Sequence, residues 1–300
     1  MRAFVAGRRR PGRKIGEAIR ETSRLLEAAG WEVESTLVKR KRALRKATAR
    51  AVKAKVDVVV AVGGDGAVLQ VVNALAETDV ALGIVPMGTG NLLAGNLGIP
   101  TGLKDAVHVI TTGHHRQIDV GRIRVGGKDR DFAVACGVGF DARVMKATGN
   151  AAKGRWGKLA YFGNALREAR HVQNISHEIT IDGVVTKTEA AQVFIANFGG
   201  TGGLLQPRRR IRPDDGLLDV IIVRASGPVP ALLAGWEALR QRDLGESATG
   251  NVIRAHGREI RVESHPARLV ETDGSVIGKT PLVATIRKRA LRVIEPSPRS

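Results

Sequence analysis

The hydrophobic positions in the first third of the chain change period several times. Ile15 to Ala29 has helical spacing, with Ile19, Leu25 and Leu26 on one side, and Gly30 stops it. Trp31 to Val38 suits a strand, and Ala43 to Lys55 a second helix with a basic outer face. Val56 to Val62 is almost continuously β-branched, as expected of a strand buried on both faces. A turn at Gly63 to Gly66 hands over to Ala67–Ala76, helical by Val68, Val71, Val72 and Leu75. Ala81 to Val85 repeats the buried-strand pattern and ends at Pro86; helices are expected over Asn91–Leu97 and Leu103–Thr112. Such alternation predicts a parallel sheet with helices on both faces, a three-layer α/β unit.

Near Arg116 the pattern changes. Gln117 to Val125 alternates polar and apolar residues, the signal of a half-buried antiparallel strand. Short segments of this kind recur at Asp131–Val138, Ile175–Ile181, Ala191–Ala196, Leu218–Val223, Glu259–Val262, Leu269–Thr272, Leu282–Ile286 and Leu291–Ile294. Helices interrupt them at Lys158–His171 and Pro230–Arg240. Many short strands between Gly, Pro and Asp turns predict a second, β-sandwich domain. The expected units are residues 1–116 and 117–287, with a frayed tail at Pro296–Ser300.

Composition narrows the class. With 300 residues the chain accommodates two domains. Aromatics make up only 3%, so Val, Leu, Ile and Ala must build the core. A single cysteine, Cys136, excludes an internal disulfide and a Cys-based zinc site, and is read as a small buried side chain. No apolar run approaches the roughly 18 residues of a membrane span, and no long apolar segment follows Met1 as in a secretory signal. A cytoplasmic protein is expected. The net charge of +19 favours polyanionic partners. It is concentrated at Arg8–Arg10, Lys39–Arg42, Arg208–Arg210 with Arg212, and Arg287–Arg289, each of which is equally readable as solvated surface.

The candidate chemistry lies in two Gly-rich turns where buried strands hand over to helices. Backbone amides and the helix dipole favour anions there, and glycine lets phosphates approach the main chain. In Gly63-Gly64-Asp65-Gly66 the carboxylate of Asp65 is either a helix cap or a group that binds Mg²⁺ or accepts a proton. In Pro86-Met87-Gly88-Thr89-Gly90-Asn91 the Thr89 hydroxyl can donate to a phosphate or ribose, and Asn91 can fix the loop or contact a nucleotide. No G-x-x-x-x-G-K-[ST] sequence is present, which excludes a P-loop NTPase, and no complete G-x-G-x-x-G follows a strand.

The pair GGDG and P-x-G-T-G-N resembles the catalytic domain of diacylglycerol kinases, sphingosine kinases and their bacterial relatives. The resemblance extends to Gly137–Ala142 (G-x-G-F-D-A), Gly157–Tyr161, Asn197–Gly203 and Asp214–Asp219 (D-D-G-x-L-D). It implies a β-sandwich after the α/β domain, a last strand (about 288–300) returning to the first domain, and ATP in the cleft between them. It also implies transfer of the γ-phosphoryl of MgATP to a lipid hydroxyl. Gly63, Gly64, Asp65, Gly66, Ala67, Val68 and Leu69 with Gly88, Thr89, Gly90 and Asn91 would bind the nucleotide, with Val38 near the adenine or ribose. A structural Mg²⁺ would fall on the carbonyls of Arg212 and Leu217 and the carboxylate of Asp215, a plausible oxygen set for a hard cation. The chain departs from the family at Ala67 (usually Thr), Leu92 (often Asp), Ala6-Gly7-Arg8 (usually Asn-Pro with Ser-Gly) and Asp273-Gly274-Ser275, where the family has D-G-E. Ser275 cannot act as a general base, so that role passes to Asp273 or Asp65, or the chain is a degenerate member that binds nucleotide or lipid without turnover.

The expected partners are a lipid substrate and the anionic inner leaflet of the membrane, at whose surface the protein would be peripheral; a homodimer stays open. Charge alone suggests nucleic acid, but no zinc finger, helix-turn-helix or aromatic platform supports it. An NAD kinase would share GGDG but not the other two motifs. Asp119 reads as a strand-edge residue rather than a metal ligand, and His114-His115 as a surface turn.

Overall fold

A computed structural model describes residues 1–139, 173–199, 211–224, 245–246, 250–272 and 275–297. The expected helices at 158–171 and 230–240, and Asp273, lie outside these residues.

The first part is β1 (Arg2–Arg8), α1 (Ile15–Ala28), β2 (Glu32–Val38), α2 (Lys41–Lys53), β3 (Val58–Gly63), α3 (Asp65–Leu75), β4 (Ala81–Pro86), α4 (Leu92–Asn96) and α5 (Leu103–Thr112). The strands run parallel in the order β2-β1-β3-β4. β3 and β4 are buried throughout, as their apolar runs predict, whereas β2 pairs only with β1 and carries Glu32 and Glu34 on an open edge. α1 buries Ile15, Ala18, Ile19, Thr22 and Leu26, a single helical stripe. It ends where Gly30, at φ +82°, lets the amides of Gly30 and Trp31 turn back to Glu27 and Leu26. α1 packs with α5 and α2 with α3, giving two helical layers around the sheet.

The second part is β5 (His114–Val125), β6 (Lys128–Phe132), β7 (Ala135–Val138), β8 (Ile175–Ile181), β9 (Val184–Ala190), β10 (Gln192–Ala196), β11 (Leu218–Val223), β12 (Gly245–Glu246), β13 (Val252–Gly257), β14 (Glu259–His265), β15 (Leu269–Thr272), β16 (Ser275–Lys279) and β17 (Leu282–Glu295). A seven-stranded antiparallel sheet, β12-β13-β11-β10-β7-β15-β16, faces the distal half of a ten-stranded sheet that continues β2-β1-β3-β4 through β17-β14-β8-β9. Side chains of both sheets, among them Ile123, Phe132, Val193, Ile195, Val220 and Ile260, form the sandwich core. The fold is thus an N-terminal α/β domain and a C-terminal β-sandwich.

Long strands join the halves. β17 pairs along its length with β5 and, at Val293, lies parallel to Leu82 of β4. The two segments expected at Leu282–Ile286 and Leu291–Ile294 are one strand interrupted by a bulge between Arg287 and Leu291, where Arg289 has φ +49°. The segment read as Asp131–Val138 breaks at 133–134 into β6 and β7. His114 and His115 are not a turn but the start of β5, paired with Glu295 and Ile294. β9 and β13 escaped the periodicity reading: β9 is mostly exposed and β13 carries Arg254 and His256 among its apolar residues. Cys136 is buried, as read. Among the described residues no helix is long and apolar enough to cross a membrane.

Candidate active site

The chain leaves β1 toward β2 and returns across it to β3, so the strand order reverses between β1 and β3. Ligands of open α/β sheets settle outside the carboxyl ends at such a reversal. Four turns meet there: residues 9–14, 39–40, Gly64 and 87–91.

The two Gly-rich turns are locked together. The Met87 amide donates to the Gly63 carbonyl at 2.9 Å, extending the β3–β4 ladder into the loops. A Cβ on Gly64 would stand 2.7 Å from the Gly88 Cα, and one on Gly88 would stand 2.6 Å from the Gly64 Cα. Gly64 has φ −97°, which any residue adopts, so closeness to the second loop rather than conformation demands glycine.

Asp65 completes the lock. It is the first residue of α3, but its carboxylate caps the following helix. Oδ2 accepts from the Asn91 amide at 3.0 Å and Oδ1 from the Leu92 amide at 2.5 Å. Of the two roles the sequence left open, a cap is thus realised, across 26 residues rather than within one turn. Asn91 is held left-handed, φ +49°, while its side chain accepts from the Gly88 amide at 2.8 Å and donates to the Gly88 carbonyl at 3.2 Å. The Thr89 hydroxyl accepts from Arg13 at 3.1 Å, which fixes the oxygen and leaves its own proton free to donate.

Gly63 is buried at the end of β3, and Gly66 lies in the first turn of α3. Ala67 and Val68 are buried, and the Ala67 methyl points back toward Gly63. Leu69 faces a small apolar hollow beside the loops. It is lined by Asp65, Val68, Leu69 and Val72 of α3, by Leu92 and Leu93 of α4 and by residues 133–134.

The second acidic region lies where β5, β17 and the 213–217 turn meet. Asp119, 1% exposed, accepts from the Arg289 amide at 2.6 Å and the Gly216 amide at 2.7 Å, while its own amide donates to the Pro213 carbonyl. It is a buried clasp, in keeping with a structural residue and not merely one at a strand edge. Asn197, also buried, donates to the carbonyls of Asp119 and Ala133. Asp214 pairs with Arg116 at 2.7 Å and Arg212 at 3.3 Å; these cations outweigh its desolvation and hold its carboxyl below the usual range. Asp215 accepts from the Leu217 amide at 3.0 Å through Oδ1. Arg212, Asp215 and Leu217 thus belong to one tight turn. Among the described residues no three His, Cys, Asp or Glu side chains cluster as a metal site.

The sequence singled out neither Arg13 nor Lys41. The end of the Lys41 side chain lies 3.7 Å from where a Cβ on Gly66 would sit. Both belong to basic stretches, and nothing in local sequence ranks one cation of a run above its neighbours.

Residues 5–123 match the family model of the diacylglycerol kinase catalytic domain, and residues 134–295 match that of the YegS C-terminal NAD kinase beta sandwich-like domain. The chain belongs to the diacylglycerol kinase catalytic-domain family. It is 31% identical over 270 residues to a diacylglycerol kinase of Mycobacterium tuberculosis, covering 84% of this chain and 81% of that one. It is 27% identical over 279 residues to a diacylglycerol kinase of Staphylococcus aureus, covering 91% and 85%. An uncharacterized protein of Synechocystis is 29% identical over 240 residues, 79% of this chain; the match spans about half, 54%, of that longer protein. A crystal structure of a diacylglycerol kinase from Bacillus anthracis superposes with a TM-score of 0.72 at 21% identity, covering 98% of this chain and 96% of that one, which shows the shared fold.

Proposed function

We propose that this chain is an ATP-dependent lipid kinase that transfers the γ-phosphoryl group to a lipid hydroxyl such as that of diacylglycerol. The observation that carries this reading is a juxtaposition. Two Gly-rich loops at the sheet reversal are held together by Asp65, whose side chain also lines a small apolar hollow between α3 and α4. The phosphate chain would lie along the loops, with the acceptor hydroxyl brought to Asp65.

Phosphoryl transfer depends mostly on positioning and charge neutralisation. Main-chain amides at Gly64 to Gly66 and at Thr89 and Gly90 would hold the phosphates, and Thr89 would donate its hydroxyl proton. Each Asp65 oxygen accepts one amide and retains a lone pair, so the carboxylate still suits a proton from the attacking hydroxyl or a bound cation. Bound Mg²⁺ would neutralise charge developing on the transferred group. A structural Mg²⁺ would take the 212–217 turn: among the described residues one Asp215 oxygen accepts no amide, and the carbonyls of Arg212 and Leu217 belong to the same turn. The protein would act peripherally at the anionic inner leaflet, where each well-placed cation contributes about 1 kcal/mol. Full-length protein with labelled ATP, Mg²⁺ and vesicles containing diacylglycerol should yield labelled phosphatidic acid. No labelled lipid from these vesicles or from a total lipid extract would refute the proposal.

One observation favours a second reading, a degenerate member that binds nucleotide without turnover. Asp65 spends both oxygens on main-chain amides, and Ala67 and Ser275 replace two family side chains. ATP binding without transfer, with activity appearing in Ser275→Glu, would establish it.

A further inference from the structure

Several described cations on the sandwich side have carboxylate partners: Arg116 with Asp214, Arg122 with Asp131, Arg124 with Asp129, and Arg287 with Glu77 and Asp131. At the carboxyl end of the parallel sheet two cations from different elements are not so paired. Neither Arg8 nor Lys41 is within ion-pair distance of a carboxylate among the described residues.

Three placements there oppose ordinary protein electrostatics. First, α2 opens with Arg40, Lys41 and Arg42, with no acid in its first turn and no side-chain cap on its free amides. The helix dipole disfavours cations at that end and favours an anion. Second, the Lys41 side chain crosses to the neighbouring helix and ends over Gly66, in the first turn of α3, whose amides also point out of the sheet end. Third, the Nε of Arg8 is buried without an acceptor among the described residues. A Cβ on Gly7 would meet Ile15 and Ile19 of α1, so Arg8, next along β1, faces the opposite layer, where α2 and α3 pack. Lys41 thus reaches the first turn of α3, and Arg8 leaves the carboxyl end of β1 on the same side of the sheet.

We propose that Lys41 and Arg8 bind the phosphate chain of the nucleotide, taking the place of the hydroxyl that Ala67 does not offer. The inference rests on the proposed nucleotide site and deepens it. The family resemblance assigns the phosphates to glycine amides and Thr89; here cations from the β1–α1 and β2–α2 connections add countercharge. A charge on the phosphates is stabilised strongly by such contacts, whereas the adenosine end gains nothing from them.

The test is calorimetric binding of ATP, ADP and AMP to the full chain, which needs no turnover. Lys41→Gln should weaken ATP by about tenfold, the worth of one charge-assisted contact, with less effect on ADP and none on AMP. Arg8→Gln should follow the same order, while Lys41→Arg should restore most of the ATP affinity. Lys53→Gln removes the same charge from the far end of α2, about 18 Å away by the helical rise, and should leave all three affinities unchanged. Circular dichroism and urea midpoints check that Arg8→Gln is folded; Lys41 is exposed and carries the test by itself. Wild-type ATP affinity in Lys41→Gln, or an equal loss for ATP and AMP, would overturn the proposal and leave the nucleotide site standing. A wild-type chain that binds no adenine nucleotide would overturn the nucleotide reading and this inference with it.

Discussion

Replacing Asp65 by alanine tests whether the two phosphate loops are one rigid unit. The substitution removes the acceptor of the Asn91 and Leu92 amides, at 3.0 and 2.5 Å. A hydrogen bond to a charged partner contributes about 1.5–3 kcal/mol, so two such bonds set a ceiling of about 3–6 kcal/mol. Asp65 is partly exposed and water can reach the freed amides, which brings the expected loss to about 2–3 kcal/mol. The left-handed backbone of Asn91 adds to the consequence. That conformation costs about 1–2 kcal/mol outside glycine and persists here because the Gly88 bonds and the Asp65 clasp impose it. With the clasp gone the 87–91 turn should open before the rest of the sheet. Hydrogen exchange at Asn91 and Leu92 is the direct assay: about 2–3 kcal/mol corresponds to exchange faster by roughly 30–150-fold, with amides of β3 changing far less. Asp65→Asn keeps one acceptor and should lose about half as much. Unchanged exchange and urea midpoint in Asp65→Ala, with nucleotide binding abolished, would refute the clasp and make Asp65 a ligand-binding residue alone.

Other expectations follow from the same geometry. Gly64→Ala and Gly88→Ala should each force the loops apart and weaken nucleotide binding, and the double variant should cost less than their sum, because both open one contact; strict additivity would refute a shared contact. Asp119→Ala strands the buried amide of Gly216, at about 1–3 kcal/mol, and frees the part-buried amide of Arg289 at lesser cost, so the urea midpoint should fall; a loss below about 1 kcal/mol would contradict the clasp. His177 is fully buried, 3.0 Å from the Ser264 hydroxyl and 3.2 Å from the Ala190 carbonyl, and burial lowers its pKa despite the carbonyl bond. Below pH about 6.5 the unfolded chain therefore takes up a proton that the native state refuses. Stability should fall as pH drops from 7.5 through 6 to 5, with a slope of up to about 1.4 kcal/mol per pH unit from this group. His177→Gln should flatten that part of the profile, and an identical slope in the variant would rule the histidine out.

The sequence by itself determined the alternating half of the fold, because a strand buried on both faces must be apolar throughout and a helix must be apolar every third or fourth position. Val58–Gly63 and Ala81–Pro86 could hardly be read otherwise, and the glycines after them marked where a phosphate can approach. Strands that depend on their neighbours were less legible. β9 is largely exposed and held by its pairing with β8, and β17 looked like two strands because its bulge breaks the alternation. At the site, the sequence named Asp65 and left its task open; only the tertiary structure decided it, because its partners lie 26 and 27 residues away and are main-chain amides that no side-chain pattern records. The same holds for Lys41 and, for the side of the sheet it takes, Arg8. Their charges were visible in basic runs, but which of those cations faces the first turn of α3 depends on how α2 lies across β1. That is a property of packing, which the order of residues along one strand or one helix does not contain.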